Sequence, residues 1–214
     1  MYNTALIILS FVEKIDISHL NTLSCTSDYI ICADGGVDIA NTYGIRPDCV
    51  IGDFDSTVTS NRLDCLYITL PSEKDLTDTE AAINHAIELG IRDITVYGGI
   101  GGRLDHTLGN VGLLEKYIGK LDHLEFMDGK NSMQLLDSES CNSILLTHTS
   151  SYRYFSLVSL DSIADGVSIT GAKYNLDNAS ISRASTLCIS NEIILNQAHI
   201  SVHHGKVLLI RSGD

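Results

Sequence analysis

Short apolar runs recur along the first half of the chain, at residues 4–10, 29–33, 49–51, 66–70 and 94–97. Runs of this length are typical of strands that are buried on both faces of a parallel sheet. The last four runs are each followed at once by a polar or glycine-rich motif. Ligands of open α/β sheets bind outside the carboxyl ends of the strands, so these motifs predict one common site.

Helical patterns separate these runs. Thr77 and Glu80 form a capping box, and Gly90 is well placed to end the helix that they open. The apolar positions of this helix are Ile83, Ala86 and Ile87, and those of a second predicted helix are Leu104, Leu108, Val111 and Leu114. Asp78 falls in the first turn, where the helix dipole stabilises a carboxylate, so it also has a purely structural interpretation.

From about residue 144 onward the chain has short strand-like runs and no amphipathic helical stripe. The runs lie at residues 154–160, 167–170, 193–195 and 207–210. Closely spaced short strands favour a small β-sandwich or barrel, and the polar stretch 137–143 is the predicted hinge. We therefore expect an N-terminal doubly wound, mostly parallel sheet domain at 1–137 and a C-terminal β-sandwich domain at 144–214.

Composition and charge exclude several kinds of partner, cysteine chemistry and location. The formal net charge of −13 argues against nucleic acid as the main partner, since phosphate backbones attract Lys and Arg. Six cysteines without a C-x-x-C pair favour reduced thiols over disulfides or a zinc site. The chain shows no signal-peptide pattern and no apolar stretch of membrane-spanning length, so we expect a soluble, cytoplasmic protein.

Two carboxylates, Asp53 and Asp55, directly follow the run that ends at Ile51. In an extended segment these two side chains point to the same side, and they repel each other unless a cation or a proton lies between them. Mg²⁺ is bound by carboxylates together with water and phosphate oxygens, so a magnesium site is one interpretation. A solvated Asp-rich turn is the other.

The glycine-rich segment 98–102 precedes the second predicted helix, as phosphate-binding loops do. It matches neither the P-loop pattern nor G-x-G-x-x-G. Arg103 follows it, and a guanidinium can hold two phosphate oxygens at once. The loop alone is therefore weak evidence for a nucleotide.

Taken in order, four motifs resemble the signature set of thiamine pyrophosphokinases. They are Ala33-Asp34-Gly35-Gly36, Gly52-Asp53-Phe54-Asp55-Ser56, Lys74-Asp75-x-Thr77-Asp78 and Gly98-Gly99-x-x-x-Arg103-x-Asp105-His106. The resemblance extends to Gly171-x-Lys173-Tyr174 and Ser190-Asn191-Glu192. It implies transfer of a diphosphate group from ATP to thiamine, which gives thiamine diphosphate and AMP. It also implies a homodimer, with thiamine held between the α/β domain of one subunit and the β domain of the other.

The resemblance, with the chemistry of the residues, suggests these roles. Asp53, Asp55 and Asp78 would hold Mg²⁺, and Arg103 would clamp phosphate. Either Asp78 or Asp105 would accept the proton of the thiamine hydroxyl, or metal-assisted attack would need no dedicated base. The residues expected to bind ATP are Asp34, Gly35, Gly36, Ser56, Lys74, Asp75, Thr77, Gly98, Gly99, Arg103 and His106. Those expected to bind thiamine are Asp78, Asp105, Ser190 and Asn191. Domain 1–137 would be the catalytic, nucleotide-binding part, and 144–214 the thiamine-binding and dimerisation part.

Two other functions stay open on the sequence. A metal-dependent phosphohydrolase would use the same acidic residues to activate water. A non-catalytic regulator would bind thiamine or nucleotide without turnover. The chain also has no Trp, whereas some family members use an aromatic residue of the β domain to stack on thiamine. In this chain the stack is either replaced by an aliphatic face such as Ile193 or Ile194, or lost.

Overall fold

The structure is a computed structural model that describes residues 2–53, 63–71 and 75–214. The chain divides into two compact units, Met1–Gly129 and Lys130–Asp214. The predicted hinge at 137–143 lies beyond this division, because strand β7 (Asn131–Asp137) pairs with the last strand of the second unit. The domain limits 1–137 and 144–214 stay a prediction.

The first unit contains a parallel sheet, as predicted. Its strands are β1 (Thr4–Ile8), β2 (Tyr29–Ala33), β3 (Cys49–Gly52), β4 (Leu66–Thr69), β5 (Asp93–Tyr97) and β6 (His123–Met127). They lie in the order β6-β5-β1-β2-β3-β4, and every neighbouring pair is parallel. All residues of β2 and β3 are buried, which explains why their sequences are apolar throughout.

Among the described residues, four helices accompany these strands: α1 (Ile17–Thr26), α2 (Gly36–Thr42), α3 (Asp78–Glu88) and α4 (Leu104–Tyr117). The predicted cap of α3 is confirmed, because the Thr77 hydroxyl accepts a hydrogen bond from the Glu80 N–H at 3.2 Å. In α4 the helix is confirmed but the predicted apolar stripe is only partly covered. Leu114 is buried, whereas Leu104 and Leu108 are 72% and 70% exposed.

Helix α2 begins unusually close to β1. A Cβ atom at Gly36 would lie 2.0 Å from the carbonyl oxygen of Ile8, so a side chain at this position would force the helix and the strand apart. Gly36 therefore has a packing function that is independent of any ligand.

The second unit consists of antiparallel strands. They are β7, β8 (Ser143–Thr147), β9 (Tyr154–Ser159), β10 (Ile163–Thr170), β11 (Leu176–Ser182), β12 (Asn191–Glu192), β13 (Gln197–Ser201) and β14 (Lys206–Ser212). Within this unit one group is ordered β12-β9-β14-β7 and the other β11-β10-β13-β8. Apolar side chains of both groups, such as Leu157 and Ile200, share one buried cluster, as in the predicted sandwich.

The predicted strand at 193–195 is wrong. The two-residue strand β12 ends at Glu192, and the N–H groups of Ile194 and Leu195 both point to the carbonyl of Gly171. Ile194 and Leu195 are 60% and 62% exposed, so their apolar character does not reflect burial in this chain.

Two further observations concern the whole described chain. All six cysteines are free thiols, and none of the helices within the described ranges combines the length and apolar character needed to cross a membrane. Burial raises the pKa of Cys49 to about 12, which keeps that thiol protonated at neutral pH.

Candidate active site

The order of the parallel strands places a crevice beside β1. The chain builds β1, β2, β3 and β4 outward in one direction, and β5 then returns to the opposite side of β1. Such a reversal leaves room for a ligand at the carboxyl ends of the central strands. A cleft of about 340 Å³ lies there, lined by Leu9, Ser10, Phe11, Ala33, Asp34, Thr77, Asp78, Thr79, Gly99, Gly101, Arg103, His106 and Asn110.

Three of the four predicted motifs contribute side chains to this cleft. The predicted residues that line it are Asp34, Thr77, Asp78, Gly99, Arg103 and His106. The described residues Gly35, Gly36, Asp53, Asp75, Gly98 and Asp105 belong to the same motifs but are not among the lining residues. Asp55, Ser56 and Lys74 lie outside the described residues.

Asp34 and the end of β3 are close neighbours. The Asp34 N–H donates to the Ile51 carbonyl at 2.7 Å, and a Cβ at Gly52 would lie 3.1 Å from the Asp34 Cα. Asp34 has a positive φ of 48°, a conformation that Asp tolerates better than most residues. This packing brings the Asp53 backbone to the same edge of the sheet as Asp34.

The glycine-rich loop is held in place by its own hydrogen bonds. The N–H groups of Gly98 and Gly99 donate to the carbonyls of Met127 and Phe11, at 2.8 and 2.9 Å. The Gly101 N–H donates to the Thr107 hydroxyl at 3.1 Å. These N–H groups are therefore already engaged within the protein, and the loop differs in this respect from a phosphate-binding nest of open N–H groups.

Asn110 anchors the same loop from helix α4. Its side chain is 5% exposed, and its amide nitrogen donates to the Gly99 carbonyl at 2.8 Å. A Cβ at Gly99, which has a φ of 76°, would lie 2.5 Å from that nitrogen. Glycine at this position is thus required both by the backbone conformation and by Asn110.

Arg103 and Asp105 form an exposed ion pair at the start of α4. Arg103 Nη2 lies 2.5 Å from Asp105 Oδ2, and Arg103 Nε lies 3.2 Å from Oδ1. The two side chains are 74% and 64% exposed. The hydrogen bonds from Arg103 lower the pKa of Asp105, so this carboxylate is ionised and weakly basic while the pair is closed.

The described residues do not by themselves form a metal centre. Within the described ranges, no group of three or more His, Cys, Asp or Glu side chains is arranged to hold an ion. The carboxylates at this edge, Asp34, Asp53 and Asp78, are nevertheless hard oxygen donors of the kind that Mg²⁺ takes. The donor chemistry fits magnesium, and the Asp55 part of the predicted set lies outside the described residues.

The predicted thiamine-binding residues of the second unit have structural contacts. Asn191 is 2% exposed. Its Oδ1 accepts from the N–H groups of Tyr174 and Glu192, both at 3.0 Å, and its Nδ2 donates to the Tyr174 carbonyl at 2.8 Å. Ser190 has a positive φ of 58° and donates its N–H to the Ser156 hydroxyl.

Glu192 ties the same turn down further. Its carboxylate accepts from Lys173 Nζ at 3.0 Å and from Arg153 Nε at 3.2 Å. The two cations lower the pKa of Glu192, Lys173 having the larger effect. Tyr174 stays 57% exposed at the tip of this turn, so the network fixes the backbone and leaves the ring accessible.

Several lining residues were missed by the sequence analysis. Leu9, Ser10 and Phe11 follow β1, and Thr79 and Asn110 lie on helices. The rule that led to the other motifs would have found the first three, because they too occupy the carboxyl end of a central strand. Asn110 carried no signal of its own, since its contact with Gly99 depends on the loop conformation.

Comparisons with known proteins agree with this architecture. Residues 20–127 match the family model "Thiamin pyrophosphokinase, catalytic domain", and residues 142–207 match "Thiamin pyrophosphokinase, vitamin B1 binding domain". The chain is 33% identical over 177 residues to the thiamine pyrophosphokinase of Bacillus subtilis (strain 168), which covers 80% of this chain and 81% of that protein.

Solved structures show the same similarity. The thiamin pyrophosphokinase of Geobacillus thermodenitrificans is 32% identical, with a TM-score of 0.83 over 99% of this chain and 98% of that chain. The Bacillus subtilis structure is 29% identical, with a TM-score of 0.87 over 99% of this chain and 100% of that chain. From its motifs, its strand order and these similarities, the chain belongs to the thiamine pyrophosphokinase family, whose reaction is the transfer of diphosphate from ATP to thiamine.

Proposed function

We propose that this chain is a magnesium-dependent thiamine diphosphokinase that converts ATP and thiamine into AMP and thiamine diphosphate. One observation carries the proposal: motifs from separate parts of the chain meet in a single cleft at the switch point of the sheet. In that cleft, carboxylates, an arginine and a histidine lie next to neutral surface, which suits a substrate pair of opposite charge.

The products define which bonds change. The thiamine hydroxyl oxygen bonds to the β-phosphorus of ATP, and the bond from that phosphorus to the bridging oxygen of the α-phosphate breaks. AMP leaves with the bridging oxygen, and the hydroxyl proton must be accepted by a base or by solvent. The protein therefore has to neutralise phosphate charge, align the two substrates and receive one proton.

Asp53, Asp55 and Asp78 are proposed to hold Mg²⁺. When bound, the ion neutralises charge on the transferring group. Support for the assignment comes from the oxygen chemistry of the set and from the position of Asp53 at the end of β3, beside Asp34. Asp78 lines the cleft from the first turn of α3.

Arg103 and His106 are proposed to bind the phosphate groups of ATP. Both line the cleft at the start of α4. The other proposed ATP-binding residues are Asp34, Gly35, Gly36, Ser56, Lys74, Asp75, Thr77, Gly98 and Gly99. Since the N–H groups of Gly98 and Gly99 are engaged within the protein, their contribution is the close approach of the loop rather than N–H donation.

Asp78 and Asp105 are the two candidates for the base. Asp105 is weakly basic while Arg103 donates to it. If Arg103 turns to a phosphate, that hydrogen bonding is lost and the Asp105 carboxylate becomes a better proton acceptor. Asp78 lines the cleft itself, so variants of Asp78 and of Asp105 distinguish the two assignments.

Thiamine carries a fixed positive charge, which the carboxylates of the cleft would stabilise. The segment around Ser190 and Asn191 is proposed to complete its site from the β domain of a partner subunit in a homodimer. The 72% and 70% exposed side chains of Leu104 and Leu108, on the helix that carries Asp105, support burial of this face by a partner. The free thiols are in keeping with a cytoplasmic location.

The deciding experiment measures AMP release from ATP and Mg²⁺ with and without thiamine, and follows thiamine diphosphate in the same reaction. We expect AMP and thiamine diphosphate in equal amounts, only when thiamine is present. ATP breakdown that is indifferent to thiamine would instead indicate a phosphohydrolase. Binding of either substrate without turnover would indicate a regulator.

A further inference from the structure

Phe11 is a large apolar residue that lines the cleft and remains partly exposed to solvent. It lies just beyond the end of β1, lines the cleft and is 43% exposed. Its carbonyl accepts the Gly99 N–H at 2.9 Å, which ties its backbone to the glycine-rich loop. This hydrogen bond fixes the Phe11 backbone, and therefore the position of its ring, relative to the glycine-rich loop.

The loop is shaped to receive the Phe11 ring. A Cβ atom at Gly102 would lie 2.7, 2.8 and 3.0 Å from three carbons of the ring, and Gly102 has a positive φ of 59°. Only glycine therefore allows the ring to rest against this part of the loop. The rest of the ring stays accessible in the cleft.

The charged lining residues lie in two sets of opposite sign. Asp34 and Asp78 suit a cation, either the magnesium ion or the thiazolium of thiamine, and Arg103 and His106 suit the phosphates of ATP. The apolar side chains of the lining are those of Leu9, Phe11 and Ala33. Two substrate portions are flat and uncharged, the nucleobase of ATP and the aminopyrimidine of thiamine, and only the nucleobase is attached to the phosphates that Arg103 would bind.

We propose that the nucleobase of the diphosphate donor packs against Phe11, and that this contact determines the preference for a purine nucleotide. The proposal rests on the proposed function, since it takes ATP as the donor. An aromatic ring contributes stacking that an aliphatic side chain of similar size does not, and a purine offers a larger stacking surface than a pyrimidine.

Steady-state kinetics of Phe11→Leu, Phe11→Tyr and wild type test the proposal. Stacking of a base on an aromatic residue predicts a rise in KM for ATP of roughly 5- to 100-fold in Phe11→Leu. The kcat at saturation and the KM for thiamine should stay unchanged, and Phe11→Tyr should behave as wild type. The preference for ATP over CTP should shrink in Phe11→Leu. Tyr2→Leu is the matched control, because Tyr2 is also 43% exposed but lies outside the cleft lining.

Equilibrium binding separates the base from the phosphates and does not depend on turnover. Phe11→Leu should weaken binding of AMP and leave binding of inorganic tripolyphosphate unchanged. If both weaken together, the residue shapes the loop rather than contacting the base, and the proposal is overturned. It is also overturned if the KM for ATP does not change or the KM for thiamine changes in its place. Should wild type form no thiamine diphosphate, the proposed function fails, while AMP binding still decides the role of Phe11.

Discussion

Polar residues that the sequence singles out are used differently in the two units. In the first unit, Arg103 and Asp105 form a pair that is 74% and 64% exposed at the edge of a cleft. In the second unit, Asn191 is 2% exposed and its amide makes hydrogen bonds to the backbone on both sides of it. Both sets follow or flank strands and look alike as sequence motifs.

The difference shows what distinguishes a residue that meets a ligand from one that positions the chain. An exposed ion pair contributes little to stability, so Arg103 can exchange Asp105 for a phosphate at low cost. A buried amide whose oxygen and nitrogen both bond to the backbone cannot turn to a ligand without leaving those backbone groups unsatisfied. Variants of the two regions should therefore separate loss of activity from loss of stability.

The largest effect is expected at the carboxylates proposed to hold magnesium. Asp53→Asn and Asp55→Asn should each lower kcat by roughly 100-fold or more, because the neutral amide binds a cation poorly and the transferring phosphates lose their compensating charge. The measurement is thiamine-dependent AMP formation at saturating ATP and Mg²⁺.

Thermal unfolding of the same variants is the control. Asp53→Asn should unfold at the wild-type temperature, since this change removes no apolar burial. Near-normal turnover in both variants would rule out the assignment of the metal-binding carboxylates. A lowered unfolding temperature would instead show that Asp53 stabilises the fold, as Asn191 does.

Asn191→Ala is the corresponding test in the second unit. It leaves the N–H and carbonyl of Tyr174 and the N–H of Glu192 without their side-chain partner. We expect a loss of about 2 kcal/mol in the free energy of unfolding, because unsatisfied polar groups cost about 1–3 kcal/mol. For a chain of this size that lowers Tm by roughly 4–8 °C.

The kinetics of Asn191→Ala then distinguish a residue that positions the Tyr174 turn from one that contacts thiamine directly. If Asn191 acts by holding the Tyr174 turn, the KM for thiamine should rise together with the loss of stability. Asn191→Asp, which keeps the accepting oxygen but not the donating nitrogen, should fall between wild type and Ala in both measurements. A raised KM for thiamine at unchanged Tm would show that the amide contacts the substrate directly.

A smaller effect is expected from Asp105→Asn, which opens the exposed pair. Tm should not change, because both partners are largely exposed. Binding of ATP should tighten by a few-fold, since Arg103 no longer has a competing carboxylate, and this is measured by equilibrium titration. If Asp105 is the base, kcat falls even as ATP binds more tightly. An unchanged kcat assigns the proton to Asp78 or to solvent.

The fold was largely predictable because its signals are local. Buried strands such as β2 and β3 are apolar throughout, and Thr77 with Glu80 marks the start of α3 in the sequence itself. The error at 193–195 arose because apolar character was taken as burial, although Ile194 and Leu195 are exposed. Leu104 and Leu108 are a second example, since an apolar stripe predicts the helix but does not predict whether the stripe is buried.

The candidate site was only partly predictable, for a physical reason. Arg103 and Asp34 were found because residue type and strand-end position together indicate ligand chemistry. Asn110 was missed because its role depends on the conformation of Gly99 in another segment of the chain. Phe11 was missed because the strand-end rule was not applied to β1. The engagement of the Gly98 and Gly99 N–H groups was likewise invisible, since their acceptors, Met127 and Phe11, are brought to the loop by the fold.

The smallest effect, a change in the pH dependence of stability, is expected at His85. This residue contrasts with Asn191, whose amide oxygen and nitrogen both have hydrogen-bond partners. Its Nε2 is buried and makes no hydrogen bond within the described part of the chain, and burial lowers the pKa of His85 below its usual 6.5. The unfolded chain therefore binds the proton more readily than the native protein at pH values below about 6.5. The free energy of unfolding should decrease as the pH falls from 6.5 toward the lowered native pKa, and this contribution should level off below it.

Chemical denaturation of wild type and His85→Leu at pH 7.5 and 5.5 isolates the contribution of His85, because other titrating groups contribute equally to both proteins. Equal pH dependence in the two proteins would mean that the imidazole takes up its proton in the native state as easily as in water, and that this buried group is as well accommodated as Asn191.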